Sequence, residues 1–337
     1  MTGNNLNSIP IAILIGAIAP VAQAEVKEVT FAHQHGLTYL SFMVMNEQDL
    51  VEKNCKEAGL DVAARYIAMG GAAPINDAIV SERAQVGAVG PPSLVQLWSK
   101  TKGSLGVKTI GSMSSMPMFL NTNRVDLKSI SEFKETDKIA LPSVKVSVQA
   151  VTLQMAVAQL YGKDQYAKLD KSTISMPHPD ALIALTSGGA SGITAHWTGP
   201  PFQYQELKKP GISKVISSYD VLGGKSTFVL AVATEKFRRD NPKTFNAVVK
   251  ALSTAQEWIG THKEEAADLY LKYTKSKEKR EDILAMLNDP EIEFTIVPAN
   301  IHKYATFMHE VDPKNIKNAP TDWKELCFDF LHDKNGS

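Results

Sequence analysis

Cysteine is scarce in this chain of 337 residues, which contains only Cys55 and Cys327. Because neither belongs to a C-x-x-C pair, zinc-ribbon and thioredoxin-type sites are excluded. The two residues lie far apart in the sequence, which gives no geometric support for a disulfide, and we expect two buried free thiols. An excess of charge is also lacking, since 36 Lys and Arg residues balance 36 Asp and Glu residues. A nucleic-acid partner, which requires a basic face, is therefore not expected.

Catalytic and cofactor motifs are missing as well. The sequence has no G-x-S-x-G nucleophile elbow, no Walker P-loop and no H-E-x-x-H zinc motif. His33 and His35 lie two residues apart, but a metal site needs more ligands at a defined spacing. The loop at residues 87–90 lacks the third glycine of a dinucleotide-binding turn. We therefore expect no enzymatic activity, no metal and no cofactor.

The N-terminal segment is apolar and uncharged over residues 9–24. It is too short to span a bilayer, which takes about 20 residues, and it ends in the small-x-small sequence Ala22-Gln23-Ala24. The sequence predicts a signal peptide over residues 1–24, cleavage near Ala24 and export of the mature chain. Residues 1–8 contain no Lys or Arg, which signal peptides usually have, so the alternative is a buried apolar strand or helix.

Runs typical of strands alternate with runs of helical spacing after residue 25. The predicted strands cover residues 29–32, 62–67, 85–89 and 107–110, and then 138–141, 172–175, 192–195 and 215–217. The predicted helices cover residues 40–58, 74–81, 148–161, 180–185 and 200–207, with a further helix running through Trp98. Because the strand spacing is similar in the two halves, the pattern predicts two α/β lobes.

The C-terminal third is predicted to be mainly helical. A strand at residues 228–233 precedes a helix starting near residue 240 and helices at residues 263–272, 280–287, 300–311 and 322–331. These helices bury their apolar faces most simply by packing back on the first lobe. Lobe one would then comprise residues 25–120 and 228–337, and lobe two residues 121–227. The two crossings, near residues 118–124 and 219–228, are candidate hinges.

The loops after the predicted strands are the expected ligand site. In parallel α/β sheets, ligands bind beyond the carboxyl ends of the strands, where helix N-termini offer free N–H groups. These loops contain hydroxyls, glycines, aromatic residues and histidines, but few charges, which suits a small polar or anionic molecule. His178 and His196 follow adjacent predicted strands and could both line a cleft. The alternative is that glycine, proline and histidine only form turns.

Seven short segments, taken in order, resemble one known family. They are residues 36–39 (GLTY), 77–82 (DAIVSE), 86–91 (VGAVGP), 176–180 (MPHPD), 200–206 (PPFQYQE), 219–223 (YDVLG) and 233–237 (ATEKF). Together they are similar to the solute-binding proteins of nitrate/sulfonate/taurine-type ABC importers. Thiamine-pyrimidine-precursor binders and synthases share this fold. The resemblance covers about residues 27–330.

The resemblance implies a type II periplasmic-binding-protein fold, in which each lobe has a mixed, mainly parallel sheet flanked by helices. It implies a periplasmic monomer that closes over one ligand, such as a sulfonate, a carboxylate or a pyrimidine-like molecule, and delivers it to a membrane permease with its ATPase. The site residues carried over are His35, Gly36, Thr38, Tyr39, Gly70, Gly71, Pro92, Ser93, Ser147, His178, His196 and Trp197. Lys145 and Lys225 are the basic residues expected near this cleft.

Two other functions fit the same fold. One is an enzyme of the thiamine-pyrimidine type that uses a cleft histidine and a cofactor such as pyridoxal phosphate. The synthase branch also uses a cysteine cluster for iron, which this chain lacks. The other is a ligand-sensing module for a signalling partner.

Overall fold

The computed structural model describes Met1 and residues 25–337, so the predicted cleavage at Ala24 lies outside the described residues. The strands are β1 Glu28–His33, β2 Ala63–Ala68, β3 Val86–Val89, β4 Val107–Ser115, β5 Phe119–Thr122, β6 Ile139–Leu141, β7 Thr173–Ser175, β8 Ala195–Thr198, β9 Ser213–Ser217 and β10 Thr227–Thr234.

The helices lie mainly between the strands and in the C-terminal third. They are α1 Leu40–Glu47, α2 Leu50–Glu57, α3 Ala72–Val80, α4 Pro91–Thr101, α5 Val148–Tyr161, α6 His178–Thr186, α7 Phe202–Leu207, α8 Ser218–Leu222, α9 Glu235–Asp240, α10 Pro242–Thr261, α11 Lys263–Thr274, α12 Arg280–Asn288 and α13 Ile301–Val311.

The described residues form two five-stranded sheets with the same plan. The first has the order β2-β1-β3-β10-β4 and the second the order β7-β6-β8-β5-β9. In the first sheet β1 pairs in parallel with β2 and β3, and in the second β6 pairs in parallel with β7 and β8. The fourth strand of each order, β10 or β5, is antiparallel to its neighbours. We call the first sheet with its helices lobe one and the second lobe two.

The chain crosses between the sheets twice, and the strand that follows each crossing is the antiparallel fourth strand of the sheet that it enters. It leaves the first sheet after β4 and enters the second as β5, and it leaves the second after β9 and returns as β10. The C-terminal helices then pack on lobe one, with α10 against α2 and α1, and α13 against α4. This arrangement confirms a helical C-terminal third on lobe one. The residue boundaries expected for the two lobes stay predictions.

Two predicted helices are wrong in detail. The helix expected over residues 40–58 is split into α1 and α2, because Asp49 has the left-handed φ of 51°. The helix expected over residues 322–331 is replaced by two short 3-10 turns, Trp323–Leu326 and Asp329–Leu331. Between them, Cys327 forms a β-bridge with Thr109 of β4, and this pairing competes with helical hydrogen bonding.

The strand predicted at residues 192–195 is displaced along the chain, because β8 covers Ala195–Thr198. His196 and Trp197 therefore lie within a buried strand and not in the loop after it. Strand β5 was not expected, since its segment was assigned to a crossing between lobes. Within residues 25–337, no helix combines the length and the apolar character needed to cross a bilayer. Cys55 and Cys327 are both free and buried.

Candidate functional site

The loops at the carboxyl ends of the parallel strands of the two lobes face each other and touch. We call this contact the interlobe seam. On lobe one it consists of residues 34–37 after β1, 69–73 after β2 and 90–93 after β3. On lobe two it consists of residues 142–148 after β6, 176–179 after β7 and 199–202 after β8. The seam therefore joins the segments from which most of the predicted site residues come.

Three hydrogen bonds and several close contacts cross the seam. The bonds are Leu37 N to Pro200 O at 3.0 Å, Ala73 N to Ser143 Oγ at 3.3 Å and Ser93 Oγ to Val146 O at 3.1 Å. Each joins a loop of lobe one to a loop of lobe two. At the seam the two lobes thus meet through backbone groups and small side chains, which lets their loops approach closely.

Glycines make this close approach possible. A Cβ atom at Gly71 would overlap the carbonyl oxygen of Pro142 and the hydroxyl oxygen of Ser143. A Cβ atom at Gly90 would lie 2.7 Å from Cβ of Val148, the first residue of α5. Carbon atoms in contact normally lie about 3.5–4.0 Å apart. Larger residues at either position would therefore force the two lobes apart.

A cavity of about 390 Å³ opens at one end of the seam. His35 and Gly36 line it from lobe one, and Pro179 and Phe202 line it from lobe two. Tyr270 and Tyr273 of α11 contribute aromatic walls. Its size and mixed lining fit a small molecule. A larger groove of about 860 Å³ lies between α8 and α13, but none of the twelve predicted site residues lines it.

Behind the wall of lobe two lies a chain of buried hydrogen bonds. Nδ1 of His178 lies 2.9 Å from Nε2 of His196, and Nδ1 of His196 lies 2.5 Å from Oε1 of Glu206. Nε2 of Gln149 lies 3.2 Å from Nε2 of His178. His196 and Glu206 are completely buried, and His178 is 6% exposed. We call these four residues the histidine relay.

Neighbouring strands and helices hold the relay in place. Asn121 of β5 donates to Oε2 of Glu206 at 2.8 Å, and Thr198 of β8 places its hydroxyl 3.1 Å from Nδ1 of His178. Because side chains alternate along a strand, His196 and Thr198 share one face of β8. The ring of Phe202 stacks on that of His178, with 5.6 Å between the two ring centroids. The relay thus reaches from α7 through β8 to the first residue of α6, which borders the seam.

Burial keeps two histidines near the seam neutral. The pKa of His178 is lowered well below its usual value, first by burial and then by the neighbouring His196 and His35. The pKa of His33 is lowered to about 4, mainly by burial, although its hydrogen bond to the carbonyl of Gln34 opposes the shift. Within residues 25–337, no three His, Cys, Asp or Glu side chains are grouped so as to hold a metal ion.

The predicted site residues fall into three groups. Those at the seam are His35, Gly36, Gly70, Gly71, Pro92 and Ser93. Those in or beside the relay are His178, His196 and Ser147, whose hydroxyl caps α5 by accepting from Ala150 N at 3.2 Å. Those buried within a lobe are Thr38, Tyr39 and Trp197. The hydroxyl of Thr38 bonds that of Ser114, and Trp197 lies on the face of β8 opposite His196. Lys145 is exposed, and Lys225 lies 3.9 Å from Glu293.

Sequence reasoning missed Gln149, Thr198, Phe202 and Glu206. A signal for two of them was present, because Phe202 and Glu206 are four residues apart and share one face of α7. A glutamate on the buried face of a helix requires a partner, and His196 is the nearest histidine in sequence. Gln149 carried no comparable signal, because only the tertiary fold brings α5 to the start of α6.

Comparisons with known proteins agree with this fold. Residues 22–272 match the sequence model of the NMT1-like family, and no curated protein matches the chain significantly. The periplasmic nitrate-binding protein NrtA from Synechocystis PCC 6803 is similar, with a TM-score of 0.70 and 16% identity over 90% of this chain and 85% of that one.

Two sulfonate binders are similar as well. The alkanesulfonate-binding protein SsuA from Xanthomonas axonopodis pv. citri, bound to MOPS, has a TM-score of 0.64 and 12% identity over 87% of this chain and 96% of that one. The aliphatic sulphonate binding protein SsuA from Escherichia coli has a TM-score of 0.61 and 15% identity over 90% and 99%. These likenesses confirm the type II periplasmic-binding-protein fold expected from the sequence.

Proposed function

Because this chain belongs to the NMT1-like family, we propose that it is the substrate-binding component of an ABC importer. It captures a small polar or anionic organic molecule, such as a sulfonate, a carboxylate or a pyrimidine-like compound, without chemical conversion. The observation that supports this most is the interlobe seam, where loops after the parallel strands of both lobes meet beside a cavity of about 390 Å³. In this class of fold, that edge of the sheet is where ligands bind.

Capture follows from the elements that meet at the seam. Helices α3, α4 and α5 all begin there, and the positive ends of their dipoles favour an anionic group. Pro91 and Pro92 give α4 no N–H in its first two positions, so the N–H groups at the seam come mainly from the first turns of α3 and α5. When the loops separate, a ligand enters; when they close, both lobes contact it. The structural relatives include proteins named for binding nitrate and alkanesulfonate, which supports an anionic ligand. The closed form would then be the one that the permease and its ATPase accept.

We place the protein in the periplasm as a monomer, exported by the N-terminal apolar segment. Residues 9–24 provide the apolar core and the small-x-small end of a signal peptide. N-terminal sequencing of the protein from its producing cell tests this point. Mature chains starting at Glu25 in the periplasmic fraction are expected, whereas intact chains starting at Met1 in the cytoplasm would contradict export.

A thermal-shift screen of the mature chain tests ligand capture. The panel contains alkanesulfonates, nitrate, aliphatic and aromatic carboxylates and pyrimidines, each at rising concentration. A ligand present at 100 times its dissociation constant stabilises the folded protein by about 2.7 kcal/mol, which gives a clear rise in melting temperature. The variant Gly90→Ser, which should hold the loops apart, is the matched negative control. If no compound raises the melting temperature of the unmodified chain, the proposal fails.

A further inference from the structure

The histidine relay accepts two different proton counts, and the only heavy atoms that move between them are those of one side-chain amide. With the lower count, Glu206 is ionised and accepts from Nδ1–H of His196, whose Nε2 then accepts from Nδ1–H of His178. Nε2 of His178 is left as an acceptor, and the amide of Gln149 donates to it. Every ring nitrogen has a partner of the correct kind, and the relay carries one negative charge.

One additional proton reverses two of these three bonds, while Glu206 remains the acceptor of the third. If His196 is cationic, it donates from Nδ1 to Glu206 and from Nε2 to Nδ1 of His178. Nε2 of His178 must then carry the hydrogen, so it donates to the amide oxygen of Gln149 after a half-turn of that amide. The relay is now neutral overall, and the free end of the Gln149 amide is its NH₂ group. His178 is uncharged in both states, which agrees with its lowered pKa.

On these grounds we propose that the Glu206–His196–His178–Gln149 chain is a proton-operated switch of hydrogen-bond polarity at the interlobe seam. Loaded with one proton, it presents donors to an anionic group of the ligand; unloaded, it presents an acceptor and a negative charge. The role in ligand choice rests on the proposed function. It predicts a substrate class: an anion whose capture by lobe two takes up one proton.

The position of the relay supports a role at the seam. His178 is the first residue of α6 and stacks on Phe202, a wall of the cavity. The preceding Pro177 lies beside Gly70 of lobe one. Gln149 is in the first turn of α5, next to Val148, which packs against Gly90 across the seam. A change of polarity at His178 and Gln149 therefore occurs at the boundary between the lobes.

Few other titratable groups face this chain of residues. His35, in the loop after β1, acts on the pKa of His178 through its charge. Asp180 on α6 is exposed and Tyr204 on α7 is half-buried. The charged partner inside the relay is Glu206, which is completely buried. A fully buried carboxylate with neutral neighbours is costly, which favours a mechanism that supplies a compensating proton.

Nitrogen NMR of the mature chain labelled with ¹⁵N-histidine tests the switch without any ligand. Spectra recorded between about pH 5 and pH 9 report which ring nitrogen of each histidine carries hydrogen. The proposal predicts that the hydrogen on His178 moves from Nδ1 to Nε2 at the same midpoint at which His196 gains its second hydrogen. It is overturned if His178 keeps one tautomer throughout or becomes cationic at a midpoint of its own.

The variant Glu206→Gln separates the switch from a merely structural network. The glutamine keeps the shape and the acceptor for His196, but it removes the charge that the additional proton balances. The shared transition of His178 and His196 should disappear in this variant. The matched control Glu257→Gln, on the exposed side of α10, should leave it unchanged. A Glu206→Gln protein with the original transition overturns the proposal, and the wild-type spectra decide it even if the variant does not fold.

Binding of methanesulfonate and benzoate at several pH values tests the link to capture. If one proton is bound with each anion, the apparent dissociation constant should rise about tenfold per pH unit above the midpoint, and the slope should vanish in Glu206→Gln. If the probes bind with no pH dependence, capture stands and the role of the relay in it is overturned. If the NMR transition occurs but no compound of the thermal-shift panel binds the wild type, the switch stands and the proposed function fails.

Discussion

The substitution Gly90→Ser should open the interlobe seam without damaging either lobe. The residue precedes α4 in an extended conformation with a φ of −74°, which any residue adopts. Serine is a good N-cap residue, so α4 should lose no stability. The added Cβ, however, would lie 2.7 Å from Cβ of Val148 in lobe two. Relief requires the loops to separate by roughly 1 Å, given an ordinary carbon–carbon distance of about 3.5–4.0 Å.

The expected size of the effect follows from the cost of overpacking. Adding a carbon to a tightly packed contact costs about 1–3 kcal/mol, and about 1.4 kcal/mol corresponds to a tenfold change in an equilibrium. The closed form should thus lose about 5- to 150-fold in population relative to the open form. The affinity for any ligand enclosed between the lobes should fall by a similar factor, since binding uses the closed form.

Distance measurements by electron paramagnetic resonance can detect this change. Spin labels attached at Val80→Cys on α3 and Ile183→Cys on α6 measure the distance between lobe one and lobe two. Both positions can carry a label, because their side chains are 48% and 66% exposed. Gly90→Ser should shift the distances to longer values. Gly260→Ser is the control, because nothing lies within 4 Å of a Cβ at that position of α10. An unchanged distribution in Gly90→Ser, or an equal shift in the control, would refute the reasoning.

Burial raises the pKa of Cys55 to about 11 and that of Cys327 to about 12. Neither thiol should therefore react with iodoacetamide at about pH 8 before the chain unfolds. Labelling of one thiol per native chain would contradict this prediction. His33 has a pKa of about 4 in the folded chain, against a usual value of 6.5. As the pH falls, the unfolded chain therefore binds a proton at this residue before the folded chain does. The free energy of unfolding should decrease by about 3 kcal/mol as the pH falls from 6.5 to 4. The variant His33→Asn keeps an N–H donor for the carbonyl of Gln34, and His262→Asn is its control. In urea unfolding, the free energy of unfolding should decrease less on acidification in His33→Asn than in His262→Asn. Equal decreases in the two variants would show that His33 is not the cause of the acid destabilisation.

The elements with strong local signals could be predicted from the sequence. Helix α5 covers the predicted residues 148–161, because its apolar run is bounded by a capping serine at Ser147 and by Gly162, whose φ of 90° ends the helix. Strands β1, β2 and β3 and helix α3 also lie within a few residues of their predicted ranges. Their apolar periodicity and their glycine and proline boundaries are local properties, so a single sequence contains them.

The prediction failed where tertiary contacts decide the structure. Strand β8 contains His196 and Thr198, which look like loop residues, and they are tolerated inside the sheet because the relay satisfies their polar atoms. The turns after Asp322 replace a helix because Cys327 pairs with β4. The contact of Gly71 with Pro142 and Ser143 joins segments about 70 residues apart. Local patterns predict the loops of the site, but not which of them meet.

Hydrogen exchange with and without the tightest-binding compound of the panel tests the central claim most directly. If the ligand is captured between the lobes, exchange should slow on both sides of the seam, at residues 34–37 and 69–73 of lobe one and residues 142–148 of lobe two. Protection of one lobe alone, or protection confined to the groove of about 860 Å³ between α8 and α13, would contradict capture at the interlobe seam.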